Sequence, residues 1–376
     1  MKKIIRILKR SLIILVALIA LLILVSFVYM RQAKFGKAPS GERLTRMHNS
    51  PNYKDGKFRN IVETPTLAEG YSMAGEIYKS IFRRNPRRAP ATDLPAVKNN
   101  LKDLPAGKDL LIWFGHSSYL LQLNGKRILV DPVFSGNASP VPGTVKSFKG
   151  TDIYTVDDLP EIDYLLISHD HYDHLDYETI LKLKARTSKV FCGLGVGSHF
   201  ELWDYPADKI NEMDWHDSID LGNGFTVSAK PARHKSGRTF SQDNTLWVSY
   251  LLNAGGKKVY IGGDSGYGTH FADVGALQDS IDLAILENGQ YDSAWHYIHC
   301  LPEEVLKAGR DLKAKRIFPV HSSKFALAKH AWDEPLIELT RLNETYKIPL
   351  LTPVIGEVVN LEDDNYTPRQ WWKGIK

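Results

Sequence analysis

A chain of 376 residues, 43% apolar and 24% charged, is long enough for one large or two ordinary domains with a sizeable core, which excludes a wholly disordered polypeptide. The formal net charge of +5 is too small at this length to point to nucleic acid, but it leaves a negatively charged surface or substrate open. The two cysteines, Cys192 and Cys300, stand in neither a CxxC nor a zinc-finger spacing and read as ordinary small residues.

Residues 1–10 form a basic segment carrying Lys2, Lys3, Arg6, Lys9 and Arg10, and residues 11–30, SLIILVALIALLILVSFVYM, contain no charge. At the helical rise this stretch spans about 30 Å, the thickness of a bilayer's hydrocarbon core, and it reads as a transmembrane helix. A cleaved signal peptide would have a shorter apolar region and an A-x-A site, which FVYMRQAKF does not offer. The basic excess before the span puts the N-terminus in the cytoplasm and the catalytic part on the other side, a bias that Arg31, Lys34 and Lys37 weaken.

Residues 31–107 read as a linker and covering region, with scattered Pro, Gly and charge and one helix expected near LAEGYSMAGEIYKSIF. Within FRRNPRRAP, residues Arg83, Arg84, Arg87 and Arg88 are either a solvated, Pro-broken linker or a contact for anionic lipid headgroups.

Residues 108–376 change in texture to short apolar or alternating runs separated by turn residues. Asn124-Gly125 marks a hairpin, and DYLLIS, FTVSAK, LWVSYLLNAGGKKVYIGGD, DLAILE and RIFPVHS read as further strands. Helices are expected near 177–186, 302–313 and 333–345. Many strands with few helices suggest two sheets covered by helices.

His169, His171, Asp173 and His174 follow DYLLIS, on the loop at the C-terminal end of a strand. The spacing HxHxDH offers two imidazoles to one metal and a carboxylate plus an imidazole to another, which suits zinc. Further candidates follow other strands: His234 after FTVSAKPAR, Asp264 after KKVYIGG and His321 after RIFPV. Singly these read as a loop histidine, a turn carboxylate and a strand-end cap. Together, at neighbouring strand ends, they complete one site.

In this order SHDHYDHLD, PARH, GGDSGYG and HSSKFALA resemble the metallo-β-lactamase superfamily. With WFGHSSYLL, VDPVFS and HCLPEEV, the stretch from Leu110 to Leu342 resembles the N-acylphosphatidylethanolamine-hydrolysing phospholipase D family within it. The resemblance implies an α/β fold, a four-layer αββα sandwich, holding two zinc ions, although His and Asp ligands also accept iron or manganese. Carried over, His169, His171 and His234 hold one ion, Asp173, His174 and His321 the second, and Asp264 bridges both. It further implies hydrolysis of a membrane phospholipid, N-acylphosphatidylethanolamine, to N-acylethanolamine and phosphatidic acid, and it is compatible with a homodimer. Asp264 is then a candidate to receive the attacking water's proton, and His299 to contact the leaving group or phosphate.

His116, in FGHSS, either orients a ligand or is a strand histidine without a site role. Asp170 stands where that family commonly has asparagine. The same metal set would serve a hydrolase of a lactone, an ester or a soluble phosphodiester. A non-catalytic, membrane-tethered binding protein is disfavoured by the complete ligand set, and a nuclease by the dispersed basic residues.

Overall fold

The computed structural model describes residues 2–375. Helix α1 (Lys2–Tyr29) runs unbroken through the uncharged stretch, buries none of its residues, and is long and apolar enough to cross a membrane. A single 3₁₀ turn over Ala33–Phe35 follows it, then α2 (Gly41–Asn49), a small hairpin of β1 (Tyr53–Lys54) and β2 (Lys57–Phe58), and α3 (Met73–Phe82). The last helix starts later than the sequence pattern suggests. Gly70 adopts φ +85°, and the Ser72 hydroxyl accepts the Gly75 N–H at 3.2 Å, so the chain turns at 70 and is capped at 72.

Strands β3 (Leu110–Trp113), β4 (Tyr119–Leu123) and β5 (Lys126–Val130) form an antiparallel meander. Asn124 and Gly125 both adopt positive φ at the expected tight turn. Strands β6 (Ile162–Leu166), β7 (Thr187–Gly193) and β8 (Ile210–Met213) then add in parallel, with α4 (Tyr177–Leu183) and α5 (Gly197–Leu202) in the crossovers.

The second sheet begins with β9 (Ser218–Asp220), β10 (Phe225–Lys230), β11 (Ser249–Ala254) and β12 (Lys257–Ile261), all antiparallel to their neighbours. It continues in parallel with β13 (Leu283–Glu287) and β14 (Ile317–Val320), linked by α6 (His270–Ala276) and α7 (Pro302–Asp311). Helix α8 (Glu334–Tyr346) follows, and β15 (Val358–Asn360) returns to pair with β3 at the edge of the first sheet.

Leu111, Leu121, Ile128 and Leu166 of the first sheet face Val227, Tyr250, Val259 and Ile285 of the second in a shared core. Ile180, Leu183 and Phe200 of α4 and α5 cover Leu129, Leu165 and Val190 on one outer face. Phe271, Val305, Leu306 and Leu339 of α6, α7 and α8 cover Tyr260, Ala284 and Leu286 on the other. The fold is the αββα sandwich that the sequence suggested. Its central strands are buried on both faces and therefore read as continuous apolar runs.

Strands β5 and β6 are parallel, as are β12, β13 and β14, while β10, two antiparallel steps from β12, runs the same way as it. Their C-terminal ends therefore collect at one edge of each sheet, and the loops leaving those ends carry the polar chemistry.

Candidate metal centre

The loop after β6 carries His169, His171, Asp173 and His174. His234 lies beyond β10, Asp264 beyond β12, and His321 directly after β14. All are buried except His171, which is half-buried. His169, His171 and His234 form one cluster: His171 Nδ1 lies 2.9 Å from His169 Nε2 and 3.3 Å from His234 Nε2. His116, His174 and His321 form the second with Asp173, whose Oδ2 lies 2.9, 3.5 and 3.3 Å from their Nε2 atoms. Asp264 Oδ2 stands between the clusters, 3.1 Å from His321 Nε2 and 3.2 Å from His174 Nε2, against 3.8 Å to His234 and 3.9 Å to His169. The structure thus brings together all seven residues singled out from the sequence.

A divalent metal fits this donor set. His174 Nε2 and Asp264 Oδ1 are buried without a hydrogen-bond partner among the described residues, and a buried polar atom left so carries a desolvation cost that a cation would remove. Burial and the neighbouring imidazoles push His169 and His234 well below the ordinary histidine range, so both are neutral at physiological pH, the form in which an imidazole can bind a metal. Burial also acts downward on His174 and His321, but Asp264 and Asp173 outweigh it. They hold His174 well above its usual value and His321 at about 10. The carboxylates of this half call for positive charge, which protons supply unless a metal does.

The opposite ring nitrogens of four histidines are held in place. Asp131 Oδ2 lies 2.8 Å from His174 Nδ1, and the Asp131 carboxylate also accepts from the Ser168 N–H and hydroxyl. His169 Nδ1 meets Ser168 Oγ at 3.0 Å, and His234 Nδ1 meets the Ile298 carbonyl at 2.9 Å. His321 Nδ1 lies 3.3 Å from both the Gly289 carbonyl and Glu287 Oε2. Such partners fix the tautomer and ring orientation of a ligand.

His116 is in the loop between β3 and β4 rather than on a strand. Its Nε2 lies 2.9 Å from Asp173 Oδ2, and burial pushes its pKa down to about 3. His116 and His321 both adopt left-handed backbone, with φ +53° and +68°. His116 N–H donates to the Ser322 carbonyl and His321 N–H to the His116 carbonyl, so the two loops hold each other in this strained form. His299 Nδ1 is 2.7 Å from Glu287 Oε2 and 3.9 Å from Asp264 Oδ2.

A cavity of about 330 Å³ lies over the centre, lined by His171, Asp173, Asp264, His299 and His321, by the polar Thr66, Glu76 and Gln290, and by apolar residues such as Leu67, Met73 and Trp295. On the far side of the ligand loop lies the chain that leaves α1. Phe35 is buried and packs edge-on to Tyr172, between two ligand residues. Arg238 donates to the Lys34 carbonyl and also to the Asp170 and Leu175 carbonyls of the ligand loop. The Lys37 N–H donates to His199 Nδ1 at 3.0 Å, and His199 Nε2 faces Asp170 Oδ2 at 3.2 Å. Asp170, where a resembling family commonly has asparagine, also accepts from Thr245 and the Gly237 N–H.

Asp131, Glu287, His199 and Arg238 were not singled out from the sequence. Asp131 and Glu287 carried a usable signal, since each is a carboxylate closing an apolar strand, as Asp264 nearly is. His199 and Arg238 carried none.

Residues 126–322 match the family model described as Beta-lactamase superfamily domain. The chain is 35% identical over 331 residues to an uncharacterized protein of Mycobacterium tuberculosis, covering 86% of this chain and 88% of that one. It is 28% identical over 275 residues to a Caenorhabditis elegans protein named N-acyl-phosphatidylethanolamine-hydrolyzing phospholipase D 1, covering 67% of this chain and 75% of the relative. Among solved structures, a metallo hydrolase from Ignicoccus hospitalis has a TM-score of 0.53 at 21% identity, covering 67% of this chain and 97% of that one, a likeness of fold.

Proposed function

We propose, from the premise that the chain belongs to the metallo-β-lactamase superfamily and is a metal-dependent hydrolase, that it is a membrane-anchored phosphodiesterase of phospholipase D type. Its substrate in this reading is N-acylphosphatidylethanolamine, and its products are N-acylethanolamine and phosphatidic acid. The observation that supports it best is the cavity, whose lining joins the polar centre to apolar side chains such as Leu67, Met73 and Trp295. A phosphodiester joined to acyl chains has the same mixed chemistry.

In this reading His169, His171 and His234 hold one zinc ion and Asp173, His174 and His321 the other, with Asp264 between them. When bound, such ions supply an acidified water and neutralise charge on the phosphoryl oxygens. The attacking water's oxygen bonds to phosphorus, and the P–O bond to the N-acylethanolamine headgroup breaks. The carboxylate of Asp264 takes the water's proton. His299, with Nδ1 held by Glu287, keeps Nε2 for the phosphate or the leaving oxygen, which departs with the proton that Asp264 received and so restores the carboxylate. The α1 helix crosses the bilayer with its N-terminus in the cytoplasm.

The test is product identification with metal-loaded protein on defined N-acylphosphatidylethanolamine vesicles, beside a lactone, a simple ester and a water-soluble phosphodiester. Release of N-acylethanolamine, reduced by roughly 100-fold or more in Asp264→Asn, is the expected result. Metal-replete protein that turns over only the soluble substrates refutes the lipid assignment and leaves a superfamily hydrolase of another ester.

A further inference from the structure

Helix α3 has its apolar face turned outward. Met73, Ile77 and Ile81 form one row at four-residue spacing and Tyr78 and Phe82 part of the next, and these five side chains are between 53% and 69% exposed. The one buried residue of the helix is a carboxylate, Glu76, paired with Lys79 at 2.8 Å and with Lys329 of the body. Polar bonds therefore attach α3 to the sandwich, and its apolar surface remains for something else.

Two further observations identify that partner. Arg83 and Arg84 follow the helix directly and are exposed without a carboxylate partner among the described residues. Arg87, by contrast, pairs with Asp333, and Arg88 is spent on the Ala326 and Ala328 carbonyls. Helix α3 also stands at the cavity: Met73 and Glu76 line it together with His171 and Asp173.

We propose that α3 is an interfacial helix. Its apolar face enters the boundary between headgroups and acyl chains of a bilayer containing anionic phospholipid, and Arg83 and Arg84 bind the lipid phosphates. The mouth of the cavity is thereby held on the bilayer that α1 crosses. This rests on the reading of α1 as a membrane anchor. A phospholipid then passes from the bilayer past Met73 to the metal centre without its acyl chains entering water. Mixed burial of this kind, apolar side chains below and arginines at the phosphate level, is what an interfacial helix requires.

The experiment uses the full chain in lipid nanodiscs of phosphatidylcholine with and without phosphatidylglycerol. A fluorophore is attached to Ile81→Cys, to Leu18→Cys in α1, or to Lys189→Cys at the opposite end of the first sheet; Cys192 and Cys300 are buried and do not compete. Lipids with nitroxide on the acyl chain serve as quencher. The expected result is strong quenching at positions 18 and 81 and several-fold less at 189, with quenching at 81 reduced in discs lacking phosphatidylglycerol and in Arg83→Glu/Arg84→Glu protein. Quenching at 18 without quenching at 81 overturns the proposal while the anchor reading stands. Quenching at neither removes both. A blue-shifted but unquenched probe at 81 assigns the face to a second copy of the chain and overturns the lipid contact, and quenching at 81 indifferent to charge overturns the role of the arginines.

Discussion

Glu287 ends β13 with four polar groups around its carboxylate. It accepts the N–H groups of Ser265 and Cys300, binds His299 Nδ1 at 2.7 Å, and lies 3.3 Å from His321 Nδ1. One side chain thus orients both the C-terminal ligand candidate and the candidate for the leaving group. Glu287→Gln keeps the shape but removes the charge, and kcat is expected to fall roughly 10- to 100-fold with the protein still folded. Unaltered kinetics and metal content in that variant would count against the orienting role. Asp264 was legible as a ligand candidate because glycines beside it mark a turn after a strand, and Gly263 does adopt φ +59° against Ser168. Glu287 carried a weaker signal of the same kind, a carboxylate closing an apolar strand, and it was passed over. His199 was invisible for a different reason: its partners, Asp170 and the Lys37 backbone, are distant in sequence and follow no spacing rule.

At the level of elements, the segment after α1 braces the ligand loop. Gly36 adopts φ +78°, and a Cβ there would stand 2.2 Å from His199 Nδ1, so no other residue lets the chain pass so close. Gly36→Val must displace His199 and with it the hydrogen bond to Asp170. Metal affinity, measured by chelator competition, is expected to drop about tenfold even though residue 36 touches no ligand. An affinity equal to the parent's would mean that the ligand loop keeps its form without this brace. Sequence patterns located α4, α7 and α8 closely, since each has an apolar face or a clear start signal. Helices α5 and α6 span too few turns for a period to emerge, and α2 is polar, with Met47 its one buried side chain.

For the whole molecule, the sheets meet at an edge where Asp131, Asp173, Asp264 and Glu287 are all buried. Metal bound only by the folded chain stabilises it by mass action, by about 2.7 kcal/mol when free metal is 100-fold above its dissociation constant. Removal by a chelator is therefore expected to lower the unfolding temperature by several degrees, reversibly on adding zinc, and calorimetry reads the shift directly. An unchanged temperature would show that the edge does not depend on metal. The layered fold was legible because buried strands are continuous apolar runs, whereas the outward face of α3 was read only as a helix, since an apolar stripe looks the same whether it faces a core or a bilayer.

The dispersal of the ligands along the chain also has a consequence for biosynthesis. The whole second sheet, β9 to β14, is translated between His174 and His321, so a growing chain displays the first histidines long before their partners exist. The three imidazoles of that loop, without His234, Asp264 and His321, make up only part of either cluster. A metal centre built from these residues is therefore complete only after β14 has been made.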